Sequence, residues 1–190
     1  MRNKRILVLV EVALATALSL VLGLWEIRLP FNVAGGSISL AMLPMVVIAL
    51  RRGPVAGAIT GGIYGSFDLI MGRAYILHWA QVLLDYPLPY LLFGLGVGLF
   101  MWAYLKAYDK GGIKKSSLIL VAAIVVGGVL RLVAHVLSGA IFFASYAPEG
   151  MNPWIYSMGY NAGYILPTVI IVCLASLIVV PALQKALPAE

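Results

Sequence analysis

Six long apolar stretches, separated by short polar segments, are the feature of this sequence that most restricts its fold. They cover residues 6–24, 39–50, 55–71, 82–104, 116–143 and 155–183. A helix that crosses a membrane needs about 20 mostly apolar residues. Only 11% of the 190 residues are charged, against about 25% in soluble domains. The pattern predicts an all-α integral membrane protein, with six transmembrane helices in one compact bundle and residues 1–190 in a single domain.

The basic residues are distributed unevenly between the two ends of this predicted bundle. Ten of the thirteen Lys and Arg lie at the N-terminus, near residues 51–52, in the segment 106–115 or at the C-terminus, and only Arg28 and Arg73 lie in the opposite loops. Cytoplasmic loops of membrane proteins are enriched in Lys and Arg, so we expect both termini to be cytoplasmic. Loops 25–37, 72–79 and 144–154 then face outside. The net charge of +6 follows from this topology, and no nucleic-acid partner is expected.

Motifs of enzymes and of metal sites are not evident. The segment GGIKKSS at 111–117 does not match the phosphate-binding P-loop pattern, so we do not expect this chain to hydrolyse ATP through one. Ser138 follows His135 by three residues, but no G-x-S-x-G elbow surrounds it. Two histidines and one cysteine suggest no metal cluster, no cofactor and no disulfide. We therefore expect a protein that is not an enzyme.

A polar and aromatic stretch from residue 131 to 163 interrupts the apolar pattern. Arg131, His135 and Gly139 recur every four residues and therefore share one helical face. An ionisable group at mid-bilayer costs about 2.5–3.5 kcal/mol, so such groups need a partner or a function. His135 is either a core histidine or a ligand-binding one, whereas Asn161 offers both donors and acceptors. Some of the surrounding aromatic residues are expected to form the ordinary aromatic belt at the membrane–water interface.

A second polar element, Asp85 with Tyr86, opens the fourth apolar stretch beside Pro87 and Pro89, which are expected to kink it. A carboxylate next to an aromatic ring suits an organic cation, because the ring face adds about 0.5–2 kcal/mol. The alternative is that Asp85 pairs with Arg131. Both polar elements together predict an outward-facing pocket for a small aromatic cation, which the loop 25–37 could cover.

Small residues mark two further helical faces. The glycines at 57, 61, 62 and 65 predict close packing of the third helix against a neighbour. Ala13 and Ala17, four residues apart, form a small-x-x-x-small face, which serves either packing inside the bundle or contact with a separate membrane subunit. The role of Asp68 stays open: it caps a turn, pairs with Arg73 or Arg131, or belongs to a proton path.

Four segments carry a resemblance to a known family: EVALATA at 11–17, LRRG at 50–53, GRAYILHWAQVLLDY at 72–86 and HVLSGAIFFASYAPEGMNPWIYSMGYN at 135–161. With these, the chain resembles the thiamin-specific S components (ThiT family) of energy-coupling factor (ECF) transporters. The resemblance implies a six-helix protein of the bacterial cell membrane that binds extracellular thiamin, vitamin B1, with high affinity. It also implies a transmembrane coupling subunit and two ATPase subunits as partners.

The resemblance further implies particular residues. In the family a Glu can stand at the position of Asp85, so the shorter Asp must reach further to the ligand. A Trp that stacks on the ligand can stand at the position of Phe143. Trp25 and Phe31 are candidates for an aromatic residue of the first loop. The family's contact with the coupling subunit maps onto Ala13 and Ala17. The expected substrate-binding residues are Asp85, Tyr86, His135, Gly139, Phe143, Tyr156 and Asn161.

Two other functions compete with this one. The first is a stand-alone, proton-coupled secondary transporter of a small organic cation that uses Asp68, Asp85 and Arg131. The second is an S component for another vitamin. Uptake by the chain alone, driven by a pH gradient, distinguishes the first, and a panel of ligands distinguishes the second.

Overall fold

The protein is an all-helical bundle with one small hairpin at one end. The computed structural model describes residues 4–30, 35–73 and 75–187. A π-helical turn (Leu69–Arg73) follows α3, a 3-10 turn (Ala144–Tyr146) follows α7, and the strands β1 (Ile27–Arg28) and β2 (Ser37–Ile38) pair antiparallel. The helices within the described residues are α1 (Lys4–Gly23), α2 (Leu43–Arg52), α3 (Pro54–Asp68), α4 (Trp79–Asp85), α5 (Pro87–Gly98), α6 (Met101–Asp109), α7 (Ile113–Phe142) and α8 (Pro153–Ala186).

The helical membrane fold predicted from the apolar stretches is confirmed. Within the described residues, four helical stretches are long and apolar enough to cross a membrane: Lys4–Gly23, Trp79–Asp109, Ile113–Phe142 and Pro153–Ala186. The remaining two predicted spans correspond to α2 and α3. The predicted start of the second span was wrong, because α2 begins at Leu43 rather than at residue 39, with Pro44 in its first turn. Its 10 residues extend only about 15 Å.

The fourth membrane segment is broken where its prolines predicted a kink. Tyr86 has non-helical φ and ψ angles of −115° and −82° and separates α4 from α5. Pro87 is the first residue of α5, because proline lacks the N–H that a helix interior needs and excludes the residue before it from the helical conformation. The break leaves Asp85 and Tyr86 at a helix junction. Residues 106–109, predicted as loop, continue as the end of α6.

The glycines of the third helix form what we call the glycine seam. A Cβ added to Gly57, Gly61 or Gly65 would overlap the backbone carbonyl groups of α5. No side chain separates α3 from α5 at these positions, which is the close packing that the glycines predicted. The carbonyl groups in the seam belong to Gly94, Tyr90 and Tyr86.

The basic residues collect at one end of the bundle. Glu11 of α1 accepts hydrogen bonds from Arg51 across 3.2 Å and from Arg52 across 2.5 Å. Arg51 also donates to the carbonyl oxygen of Leu187, so a side chain of α2 connects α1 with the end of α8. The assignment of this end to the cytoplasm stays a prediction from charge.

The apolar core fills the half of the bundle nearest the basic end. Most of its fully buried side chains come from α2, the second half of α5, the first half of α7 and the second half of α8, including Met45, Phe93, Leu120, Ile124 and Val172, and Tyr104 of α6 and Ile165 of α8 also belong to it. The opposite half is not filled in this way. The polar residues of α7 and α8 lie there, around a cavity.

Candidate functional site: a polar and aromatic cavity

A cavity of about 350 Å³ lies at the end of the bundle opposite the basic residues. This volume is at the lower end of the range for small-molecule sites, about 300–1,000 Å³. The β1–β2 hairpin, the segment 75–86, α5, α7 and the first half of α8 all contribute to its wall. All seven expected substrate-binding residues line it: Asp85, Tyr86, His135, Gly139, Phe143, Tyr156 and Asn161. The structure brings them together, and their role in binding stays a prediction.

Asp85 and His135 face each other across the junction of α4 and α7. The Oδ1 atom of Asp85 lies 3.5 Å from Nδ1 of His135, and Oδ2 accepts a hydrogen bond of 2.7 Å from Nε2 of Gln81. The other ring nitrogen of His135, Nε2, is buried and has no hydrogen-bond partner among the described residues. A buried polar atom without a partner is costly, so this nitrogen is a candidate contact for a bound molecule.

Arg131 forms the floor of the cavity rather than an ion pair with Asp85. Its guanidinium lies 4.6 Å from the ring centre of Tyr90 and 5.9 Å from that of Tyr164. It also donates hydrogen bonds to the hydroxyl of Tyr90 and the sulfur of Met42, both at 3.3 Å. The alternative pairing of Asp85 with Arg131 is therefore not seen in the described residues. Cation–π contacts stabilise this buried charge instead.

Asn161 is held by a hydrogen-bond network between α7 and α8. Its Nδ2 donates to the carbonyl oxygens of Ser157 at 2.9 Å and of His135 at 3.3 Å, and its Oδ1 accepts from Tyr164 at 2.7 Å. Gly139 permits this arrangement, because an added Cβ would collide with the Ser157 hydroxyl. The donors of Asn161 are thus used by the protein, and one lone pair of Oδ1 remains available.

Aromatic side chains form the outer wall of the cavity. The ring centre of Phe143 lies 6.1 Å from that of Tyr75 and 5.7 Å from that of Tyr146. The Tyr146 hydroxyl donates to the Tyr75 hydroxyl at 3.0 Å, and this bond raises the pKa of Tyr146. The Tyr86 hydroxyl accepts from the Tyr75 backbone N–H, also at 3.0 Å. The loop between α3 and α4 is thereby joined to the end of α7.

The described residues of the β1–β2 hairpin line the cavity on the side of the first loop. The Tyr160 hydroxyl of α8 donates to the carbonyl oxygen of Gly35 at 2.8 Å. Gly36, at a φ of +95°, packs against the ring of Tyr164 so closely that a Cβ would lie 2.5 Å from a ring carbon. Of the two aromatic candidates in this loop, Trp25 is 84% exposed, and Phe31 lies outside the described residues.

Several residues of the site were missed by sequence reasoning. Gln81, Tyr75, Tyr146 and Ser157 line the cavity beside the expected residues. Gln81 stands four residues before Asp85 and so shares its helical face, which is the signal that could have found it. Asp68 also lines the cavity, whereas the side chain of Arg73 lies outside the described part of the structure.

Two further observations bear on chemistry and on partners. The described residues contain no group of three or more His, Cys, Asp or Glu that could hold a metal ion.

On α1, Val12, Ala15 and Ser19 are buried against the bundle, whereas Ala13 and Ala17 are exposed on the outer face. The small-residue face of α1 is therefore not used for packing inside this chain.

The helical membrane fold and the polar cavity at one end are those expected of a membrane-embedded transport protein for a small molecule. The chain belongs to the thiamine transporter protein family (Thia_YuaJ), whose profile matches residues 9–188. It is accordingly a multi-pass protein of the bacterial cell membrane, and the relatives it matches carry the names of transporters rather than of enzymes.

Three similar proteins illustrate this membership. The thiamine transporter ThiT of Bacillus subtilis strain 168 is 36% identical over 170 residues, which are 90% of this chain and 88% of that protein. ThiT of Lacticaseibacillus paracasei is 32% identical over 165 residues, covering 85% and 81% of the two chains. The solved structure of ThiT from Listeria monocytogenes superposes with a TM-score of 0.84 at 30% identity, over 98% of this chain and 97% of that one.

Proposed function

We propose that this protein is the thiamin-binding S component of an ECF-type importer and that it binds extracellular thiamin with high affinity. The observation that carries the proposal is the meeting of Asp85, His135, Phe143 and Asn161 at one cavity, in a chain of the thiamine transporter family. A transmembrane coupling subunit and two ATPase subunits would supply the energy for release into the cell. Bound thiamin is the ligand, and no cofactor is needed.

The charge of the cavity supports a cationic ligand. Among the described residues that line it, the carboxylates are Glu26, Asp68 and Asp85, and the arginines are Arg28 and Arg131. Arg28 pairs with Glu26 at 2.8 Å. With the imidazole neutral, the cavity carries one net negative charge, and thiamin carries one permanent positive charge on its thiazolium ring. Opposite charges in a partly buried site attract each other by several kcal/mol, about 4 at 4 Å.

The polar atoms of the site suit the rest of the vitamin. We assign Asp85 to the thiazolium charge or the pyrimidine amino group, and the rings of Phe143, Tyr86 and Tyr156 to the two heterocycles. With Nδ1–H of the neutral His135 directed at Asp85, its buried Nε2 is an acceptor and suits the hydroxyl or the amino group of the ligand. Asn161 is better placed to accept from the amino group than to donate to a ring nitrogen, because its own N–H groups already bind backbone oxygens.

Calorimetry with purified protein in detergent tests the binding step. We expect saturable 1:1 binding of thiamin and quenching of tryptophan fluorescence, for which Trp154, two residues before Tyr156 in the first turn of α8, is a suitable reporter. Riboflavin and biotin serve as control ligands of other chemistry. Heat of binding with one of these and none with thiamin would identify an S component for a different vitamin.

Reconstitution into vesicles tests the coupling step. We expect no thiamin uptake by the chain alone, and uptake after addition of the coupling subunit, both ATPases and ATP. Ala17→Leu enlarges the exposed face of α1 and should abolish uptake while leaving binding unchanged. Ala122→Leu, an equal enlargement on the exposed face of α7, is the matched control. Uptake by the chain alone in a pH gradient would instead favour a proton-coupled transporter.

A further inference from the structure

Gln81 lines the cavity and forms three side-chain hydrogen bonds there, although it is not among the expected binding residues. It is 1% exposed. Its Nε2 donates to Asp85 Oδ2 at 2.7 Å and to the carbonyl oxygen of Tyr75 at 3.1 Å, and its Oε1 accepts from the N–H of Leu77 at 3.1 Å. One amide therefore connects the carboxylate of the site with the loop before α4.

We propose that Gln81 is a positioning residue for the cation site. Asp85 is short, and its side chain would otherwise be free to rotate about two bonds. The hydrogen bond from Gln81 engages Oδ2 and leaves Oδ1 on the side of His135 and the cavity. The negative charge is thereby held where a heteroaromatic cation binds. This inference rests on the proposed function, because it specifies how that site recognises charge.

The side-chain amide of Gln81 also connects the carboxylate of Asp85 to the aromatic outer wall of the cavity. The segment 75–77 is bonded at both ends by Gln81, and the ring of Tyr75 contacts Phe143 while its hydroxyl accepts from Tyr146. A ligand that attracts the carboxylate of Asp85 therefore also acts, through Gln81, on the position of the segment 75–77 in the outer wall. We expect bound thiamin to slow hydrogen exchange of the segment 75–77, and Gln81→Met to remove that protection.

A double-mutant cycle separates positioning from a merely structural role. Gln81→Met has a similar length but no hydrogen bond, and we expect it to weaken thiamin binding about tenfold, the scale of a lost bond to a charged group. In an Asp85→Asn background the same change should cost less than about threefold, since interacting residues are not additive. The neutral isostere 3-deazathiamin should lose little affinity for Gln81→Met.

Thr60→Val provides the control for general destabilisation. Its hydroxyl is fully buried and donates to the Ala56 carbonyl within α3, away from the cavity, so it should lower thermal stability without changing thiamin affinity. If Gln81→Met does not fold, Gln81→Asn, whose amide is drawn back from Asp85, completes the cycle. Equal losses for thiamin and 3-deazathiamin, or additive losses with Asp85→Asn, would overturn the inference alone. A wild-type protein that binds no thiamin would overturn the proposed function as well.

Discussion

The carboxylate of Asp85 is the group whose charge should matter most for affinity. Asp85→Asn replaces it with a neutral side chain of the same shape. The asparagine still accepts the hydrogen bond that Gln81 donates across 2.7 Å, so the position of the side chain is retained. The substitution therefore tests charge rather than packing.

The size of the effect follows from the burial of Asp85. A cation about 4 Å from a carboxylate gains about 4 kcal/mol at the effective dielectric constant of a site near a protein surface. The Asp85 side chain is 18% exposed, so residual water screens part of this attraction. We expect Asp85→Asn to weaken thiamin binding by about 2–3 kcal/mol, which is ~30- to 150-fold. The loss should depend little on salt, because ions reach a mostly buried group poorly.

Calorimetry at low and high salt measures this loss. Asp109→Asn, an exposed carboxylate at the end of α6, removes the same charge far from the cavity and should leave the affinity unchanged. The neutral 3-deazathiamin should bind the wild type and Asp85→Asn about equally. A thiamin affinity for Asp85→Asn within twofold of wild type, or an equal loss for the neutral isostere, would refute the electrostatic role.

Two further predictions concern the β1–β2 hairpin. Gly36→Ala should reduce both thermal stability and thiamin affinity, because its Cβ meets Tyr164 at 2.5 Å; Gly111→Ala, at a φ of +70° with open space around it, measures the backbone cost alone, ~1 kcal/mol. If Gly36→Ala and Gly111→Ala changed thiamin affinity equally, the contact between Gly36 and Tyr164 would not be the cause of the loss. Tyr160→Phe removes the 2.8 Å bond to Gly35 and should speed thiamin dissociation about fivefold in stopped-flow fluorescence, corresponding to ~1 kcal/mol. An unchanged rate would show that this bond does not retain the ligand.

Helical spacing explains why much of the cavity was predictable. Arg131, His135 and Gly139 lie four residues apart, and the structure places all three on the cavity. The break at Pro87 was equally predictable, because the constraint that proline imposes is local. Local chemistry therefore located one wall of the cavity and one of its helix junctions.

The contacts between elements were not predictable in this way. Asp85 meets His135 and Gln81 instead of Arg131, because the change of direction at Tyr86 decides which residue of α7 the end of α4 faces. Arg131 is stabilised by the rings of Tyr90 in α5 and Tyr164 in α8. The spacing of residues along the sequence does not predict this contact between three helices. The late start of α2 was also missed, since hydropathy does not distinguish a turn from the first residues of a helix.

The glycine seam between α3 and α5 limits how the cavity can open. Tyr90 lies in α5 and Tyr86 directly before it, and the backbone at both residues touches α3, so sliding or rotation of α3 against α5 would bring main-chain atoms into collision. The hairpin and the segment 75–77, in contrast, are held by a few hydrogen bonds each. We therefore expect ligand entry and exit to involve rearrangement of the hairpin strands or of the segment 75–77 rather than movement between α3 and α5.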